Sequence, residues 1–133
     1  MIQVLDASVA IKWFVEEPDR ERALSILDSL QNSPQHFAVP DFFFNEMLAV
    51  LCRIERETKK VQRHLYLLEN LGLERVGNGS ELLSLAAELS LTHGLTGYDA
   101  IYAATAKLLG GVWITADVKA HKRIAHLQIS SVL

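Results

Sequence analysis

A short apolar strand that runs directly into a carboxylate restricts this chain more than any other feature. Ile2-Gln3-Val4-Leu5 is followed at once by Asp6-Ala7-Ser8. In a chain otherwise rich in helical patterning, such a strand is most economically the central strand of a parallel sheet, buried on both faces. Its terminal acid then lies at the carboxyl end of the sheet, where open α/β folds place their ligand crevice. A buried carboxylate is costly unless it is paired or bound to a metal. Asp6 therefore needs a partner, which the rest of the sequence has to supply.

The chain after Ser8 alternates between helical and strand patterns. Val9 to Val15 predicts a helical turn or two over the first strand. Pro18 disfavours helix at Glu17, and Asp19 is placed to cap the segment from Arg20 to Leu30, which carries Ala23, Leu24, Ile26, Leu27 and Leu30 at amphipathic spacing. His36 to Val39 is a second strand. A long helix follows to about Arg56, with Asp41 expected as its N-cap, and another runs from Lys59 to Leu71 with Gly72 as its C′ glycine. Leu73 to Val76 predicts a third strand, Ser80 to about Gly94 a helix, and Thr96-Gly97 to Leu109 a further helix stopped by Gly110-Gly111. Val112 to Thr115 is the clearest later strand. Asp117 to Ala125 is helical, and Ile129 to Leu133 is placed to add an edge strand. Strands alternating with helices mean an α/β fold with a mainly parallel sheet, here a single domain over residues 1–133.

A chain of 133 residues, half of them apolar, is long enough to bury about two-thirds of its unfolded surface in one core. No apolar run approaches the roughly 18 residues that a membrane helix needs, and no basic stretch followed by an apolar core marks a signal peptide. The single cysteine, Cys52, excludes an internal disulfide and fits a reducing compartment, so a cytoplasmic protein is expected. Its helical spacing with Leu48, Leu51 and Glu55 predicts a packing residue. The formal net charge of −3 argues against a broad basic surface for nucleic acid. The cations are nevertheless clustered, with Arg53, Arg56, Lys59, Lys60 and Arg63 in the middle and Lys119, Lys122 and Arg123 near the end. Solvated helix faces account for such runs when they stand alone.

Three further acids occupy unusual places. Asp117 mirrors Asp6, just past a strand at the same edge of the sheet. Glu46 shares a helix face with Phe42, Ala49, Val50 and Arg53, and Asp99 opens the small-residue helix that continues Ala100-Ile101-Tyr102-Ala103-Ala104. Each has an ordinary structural reading: Asp99 follows Thr96 at capping-box spacing, Asp117 serves as an N-cap, and Glu46 is an exposed helix acid. In a right-handed parallel fold, however, helices that begin after strands bring their N-termini to one crevice. Four like charges there raise one another's proton affinity or need a divalent cation between them. Oxygen donors without a His/Cys cluster suit Mg²⁺ or Mn²⁺ rather than zinc.

In order and spacing these segments resemble the PIN-domain family, and within it the VapC-type toxins of toxin–antitoxin pairs. Val4-Leu5-Asp6-Ala7-Ser8-Val9-Ala10, with Lys12-Trp13 after it, reads like the family's first motif. Glu46 behind Val39-Pro40-Asp41 resembles the second. Thr96-Gly97-Tyr98-Asp99-Ala100-Ile101-Tyr102-Ala103-Ala104 resembles the third, the most specific, and Ile114-Thr115-Ala116-Asp117 the fourth. The run Val118-Lys119-Ala120 after the last acid departs from many relatives and leaves the role of Asp117 the least defined of the four.

The resemblance implies a three-layer α/β/α sandwich and a Mg²⁺- or Mn²⁺-dependent endoribonuclease. Asp6, Glu46, Asp99 and Asp117 would be its catalytic, metal-holding acids, with Ser8 and Thr115 as supporting hydroxyls. It also implies cleavage that leaves a 5′-phosphate and a free 3′-hydroxyl, a VapB-type antitoxin partner and a homodimer. Lys12, Arg53, Lys59, Lys60, Lys119 and Lys122 become candidates for gripping RNA phosphates. Two other readings remain open at this stage. One is a receiver-like module whose Asp6 accepts a phosphoryl group, though such modules carry adjacent early acids and a late strand-end Lys that this sequence lacks. The other is a catalytically silent PIN scaffold.

Overall fold

The computed structural model describes residues 1–133. Its centre is an all-parallel five-stranded sheet of β1 (Gln3–Leu5), β2 (Phe37–Pro40), β3 (Glu74–Val76), β4 (Val112–Thr115) and β5 (Ser130–Val132), in the order β3-β2-β1-β4-β5. β1 is the middle strand, with Val4 beside Ala38 of β2 on one side and Trp113 of β4 on the other. From β1 the chain steps outward through β2 and β3, then returns to the opposite side for β4 and β5. That reversal makes the boundary between β1 and β4 the switch point at which an open parallel sheet forms its crevice.

Seven helices cover the two faces in a three-layer α/β/α arrangement. They are α1 (Ala7–Ala10), α2 (Arg20–Asn32), α3 (Phe42–Ile54), α4 (Thr58–Glu69), α5 (Ser80–His93), α6 (Gly97–Leu109) and α7 (Val118–Ile124). α6 lies across β1, β2 and β4, and α5 packs along it. Buried Ala100, Ala103, Ala104 and Ala106 let α6 approach the sheet closely, while Tyr102 between them fills the space toward Trp113. α6 begins at Thr96, whose hydroxyl accepts from the Asp99 amide at 3.1 Å, and ends at Gly110 in the left-handed region, φ +65°. After α1 a 3₁₀ turn over Ile11–Trp13 is tied to α2 by Trp13, whose indole N–H donates to the Ala23 carbonyl at 2.8 Å.

The core is continuous. Its largest fully buried side chains include Trp113, Tyr102, Phe43, Leu5, Leu30 and Met47, each contributing about 1.5–3 kcal/mol by leaving water. Leu68 of α4 is buried, and Leu65 and Leu71 pack against the same core. No helix is long and apolar enough to cross a membrane.

Several local expectations are corrected. Asp19 precedes α2 in the left-handed region, φ +65°, and makes no capping hydrogen bond. Asp41 precedes α3 with helical backbone angles, so its side chain is not aimed at the first-turn amides and accepts instead from Arg75 Nε at 3.2 Å. Gly72 has the expected positive φ of +83° but lies two residues past the Asn70 cap, one beyond the C′ position. Cys52 is exposed rather than packed, beside a hollow between α3 and α4 that Leu48 and Leu65 also line.

One glycine is required by the sheet itself. Gly111 enters β4 where the Val112 amide donates to the Ile2 carbonyl at 2.9 Å, and a Cβ on Gly111 would stand 2.2 Å from that carbonyl oxygen. Gly111→Ala must therefore push β4 away from β1, at a cost of about 1–3 kcal/mol. Gly110→Ala meets no neighbour and carries only the strain of its positive φ. Thermal or denaturant unfolding should show the larger loss for Gly111→Ala, and equal losses would overturn this assignment.

Candidate active site

Asp6 directly follows β1 and caps α1, and only 5% of it is exposed. Its Oδ1 accepts from the Ser8 amide at 2.9 Å and from the Ser8 hydroxyl at 2.5 Å. Its Oδ2 accepts from the Trp113 indole N–H at 2.8 Å. Ser8 is held in turn by the far side of the switch point: the Ala116 amide donates to its Oγ at 2.9 Å, and Thr115 Oγ1 lies 3.4 Å from it. Two elements remote in sequence thus fix a single carboxylate. Burial raises the proton affinity of Asp6, and the donors from Ser8, Thr115 and Trp113 lower it, with burial the larger effect.

The other three acids face the same place. Glu46, half-buried in α3, accepts from the Tyr102 hydroxyl of α6. Burial pushes its pKa up, the Tyr102 bond opposes this, and the charges of Asp6 and Asp99 raise it further. Asp99, in the first turn of α6, is raised by burial, then by Asp6 and Asp117, against a lowering contribution from Thr96. Asp117 begins α7 as an N-cap, with its Oδ1 accepting from the Ala120 amide at 3.0 Å. For Asp117 the structural role expected of an N-cap is present, and it coexists with electrostatic pressure on Asp99. Tyr102 is itself driven well above the ordinary phenol range by burial and the nearby Glu46, so it stays protonated and donates.

None of the ion pairs in the structure involves any of these four acids. The group is therefore a concentration of uncompensated negative charge around one deeply buried carboxylate. No three His, Cys, Asp or Glu side chains are gathered into a ready-made cage. A small, hard cation that keeps several waters and takes one or two carboxylates directly fits such a donor set. Asp6 and Asp99, each of which raises the pKa of Glu46, are the residues that could hold it, and Asp117 acts on Asp99.

The cationic candidates separate into distinct environments. Lys119 lines a cleft of about 210 Å³ together with Asp99, Asp117 and Thr96. Lys12 is buried, and its ammonium lies 3.1 Å from Glu17 Oε1. Lys60 pairs with Glu55 at 3.7 Å and Glu57 at 3.5 Å. Arg53, Lys59 and Lys122 are exposed on α3, α4 and α7. Arg123 was not among the sequence candidates, yet it lines the same cleft as Lys119. Its place one helical turn after Lys119 was the available signal. Trp113 and Tyr102, the donors to Asp6 and Glu46, were also missed. Tyr102 lies three residues after Asp99 on one helix face, whereas the Trp113 contact spans most of the chain and leaves no local mark.

The electrostatics give a sign for stability. Asp6, Glu46 and Asp99 hold protons more readily folded than unfolded, so metal-free protein binds more protons in the native state. Their contribution falls as pH rises from the ordinary carboxylate values, 3.8 for Asp and 4.5 for Glu, through the raised folded ones. In EDTA near neutral pH, Asp99→Asn should therefore raise the melting temperature by a few degrees. Millimolar Mg²⁺ should stabilise wild type by mass action and Asp99→Asn much less. Destabilisation by Asp99→Asn in EDTA would show that its charge is compensated after all.

Comparison with known proteins gives the architecture a family. The PIN-domain profile matches residues 4–127. No curated protein sequence matches the chain. Among solved structures, VapBC2 from Rickettsia felis, bound to a DNA fragment from its promoter, superposes with a TM-score of 0.77 at 18% identity, over 100% of this chain and 99% of that one. FitAcB from Neisseria gonorrhoeae gives 0.74 at 20% identity, covering 99% and 96%. A toxin–antitoxin complex from Klebsiella pneumoniae gives 0.73 at 19%, covering 97% and 95%. At these identities the superpositions speak for the fold, and with the profile spanning nearly the whole chain, the protein belongs to the PIN-domain family.

Proposed function

We propose that this protein is a divalent-metal-dependent endoribonuclease, the toxin of a type II toxin–antitoxin pair. The observation that carries the reading is the buried Asp6 carboxylate, paired with no Lys, Arg or His, whose charge acts on Glu46 and on Asp99, which also feels Asp117. Family membership supports nuclease chemistry, and a fold neighbour named as a toxin–antitoxin complex, alongside VapBC2, supports the biological role.

Mg²⁺ or Mn²⁺ bound among these acids would neutralise charge on a backbone phosphate and lower the pKa of the attacking water. The protein's own part is preorganisation. Ser8 and Trp113 hold the two Asp6 oxygens in fixed directions, Thr115 lies beside the Ser8 hydroxyl, and Tyr102 holds one oxygen of Glu46. Asp99 keeps its carboxylate available, because Thr96 is bonded to its amide rather than capped by its side chain. Lys119 and Arg123 along the cleft, with Arg53, Lys59 and Lys122 further out, offer charge to the flanking phosphates. Lys12 and Lys60 join them only by leaving their carboxylate partners. Cleavage by activated water leaves a 5′-phosphate and a 3′-hydroxyl. A VapB-type antitoxin and a second copy of the chain are the proposed partners.

Purified protein should cut single-stranded RNA in Mg²⁺ or Mn²⁺, with activity abolished by EDTA. Asp6→Asn should reduce the rate by about a hundred-fold or more, several kcal/mol of lost charge stabilisation. Asp117→Asn, which keeps an acceptor for the cap, should cost less. Undiminished cleavage in EDTA or in Asp6→Asn would refute the reading.

A further inference from the structure

The aromatic residue next to Asp99 has no part in the chemistry described above. Tyr98 stands in the first turn of α6 and is 63% exposed, although its ring is not loose. It lies on Phe42 with 4.8 Å between centroids and 14° between planes. Phe42 meets Tyr102 edge-on at 6.2 Å and 65°, and the Tyr102 hydroxyl is on Glu46. The Tyr102 and Trp113 rings are themselves parallel within 9°, and Trp113 donates to Asp6. A train of four rings therefore runs from solvent to two of the acids, and its outermost member is the only one left largely uncovered.

Exposing a ring of this size forgoes burial that the fold would otherwise gain. Fixing its plane against a second ring yields a flat, preorganised π-surface one residue from the acid cluster. Proteins hold the unpaired bases of single-stranded nucleic acid on such surfaces, and every base has a face that can stack. Resting on the nuclease reading above, we propose that Tyr98 is a base-stacking platform. A nucleobase adjacent to the scissile phosphate lies on its open face, so the substrate is single-stranded RNA at that position. A base inside an A-form duplex is held between its neighbours and cannot reach the ring. The ring also borders an apolar hollow of about 470 Å³ lined by Leu83, Leu91 and Ile101, so a second copy of the chain is the competing occupant.

The test is binding of a labelled single-stranded RNA of mixed sequence to the full chain, read by fluorescence anisotropy. Ca²⁺ replaces Mg²⁺ so that oxygen ligands are still engaged. Tyr98→Ala should weaken binding about ten-fold or more, the range for loss of one stacked base, and Tyr98→Phe should stay within about two-fold of wild type. Binding of the same sequence as a duplex should not change, nor should the molecular mass by light scattering. Wild-type affinity in Tyr98→Ala, equal losses for single strand and duplex, or a change in mass would each overturn the platform. If wild type binds and cuts single-stranded RNA in Mg²⁺ while Tyr98→Ala binds as well, only the platform falls. If wild type binds no RNA, both readings fall.

Discussion

The constraint on which this molecule turns is the burial of one carboxylate without a cationic side chain beside it. Asp6 is almost fully enclosed, and no Lys, Arg or His pairs with it. Desolvating such a group costs several kcal/mol in proteins. Three donors offset part of that cost, and they come from α1 and β4, on the two sides of the switch point. The parallel sheet is thus more than a scaffold for the acid. Its strand order brings β4 against β1, and with it the indole and the hydroxyl that orient Asp6.

The same side chains serve packing and chemistry. Trp113 and Tyr102 are the two largest fully buried residues, and their polar ends are the donors to Asp6 and Glu46. A buried indole N–H or phenol O–H needs an acceptor, and here the acceptors are the acids of the site. Packing density therefore fixes acid geometry. A change that repacks either ring would move a carboxylate as well as open a cavity, so activity would respond to core volume at positions that never meet substrate.

Much of this arrangement was legible in the sequence, for identifiable reasons. Strand and helix alternation, the central position of β1 and the stops at Gly94 and Gly110 follow from periodicity and backbone preference, which are local. The acids stood out because Asp6, Glu46, Asp99 and Asp117 occupy strand ends and helix starts that a parallel topology brings together. What failed depended on geometry set by distant parts of the chain. Asp41 has the composition of an N-cap, but Arg75, in a strand far along the sequence, takes its carboxylate. Cys52 has core-like spacing on α3, yet its face of the helix is left open beside α4. Lys12 lies near Asp6 in sequence, whereas the turn at Glu17 folds back to claim its charge.

The four acids are not equivalent, and their prior commitments rank them. Asp6 has both oxygens directed by donors, so its position is set before any ligand arrives. Glu46 has one oxygen on Tyr102, and Asp117 has one on the Ala120 amide. Asp99 is tied least, with only the Thr96 side chain at its own helix start beside it, while it feels the charge of both Asp6 and Asp117. A site in which every carboxylate was fixed would suit a cation that is permanently caged. One fixed and one freer carboxylate would instead suit an exchangeable cation, because any adjustment falls on the side chain least tied to the fold. On the nuclease reading, Asp6 would be the fixed ligand of a bound cation and Asp99 the freer one.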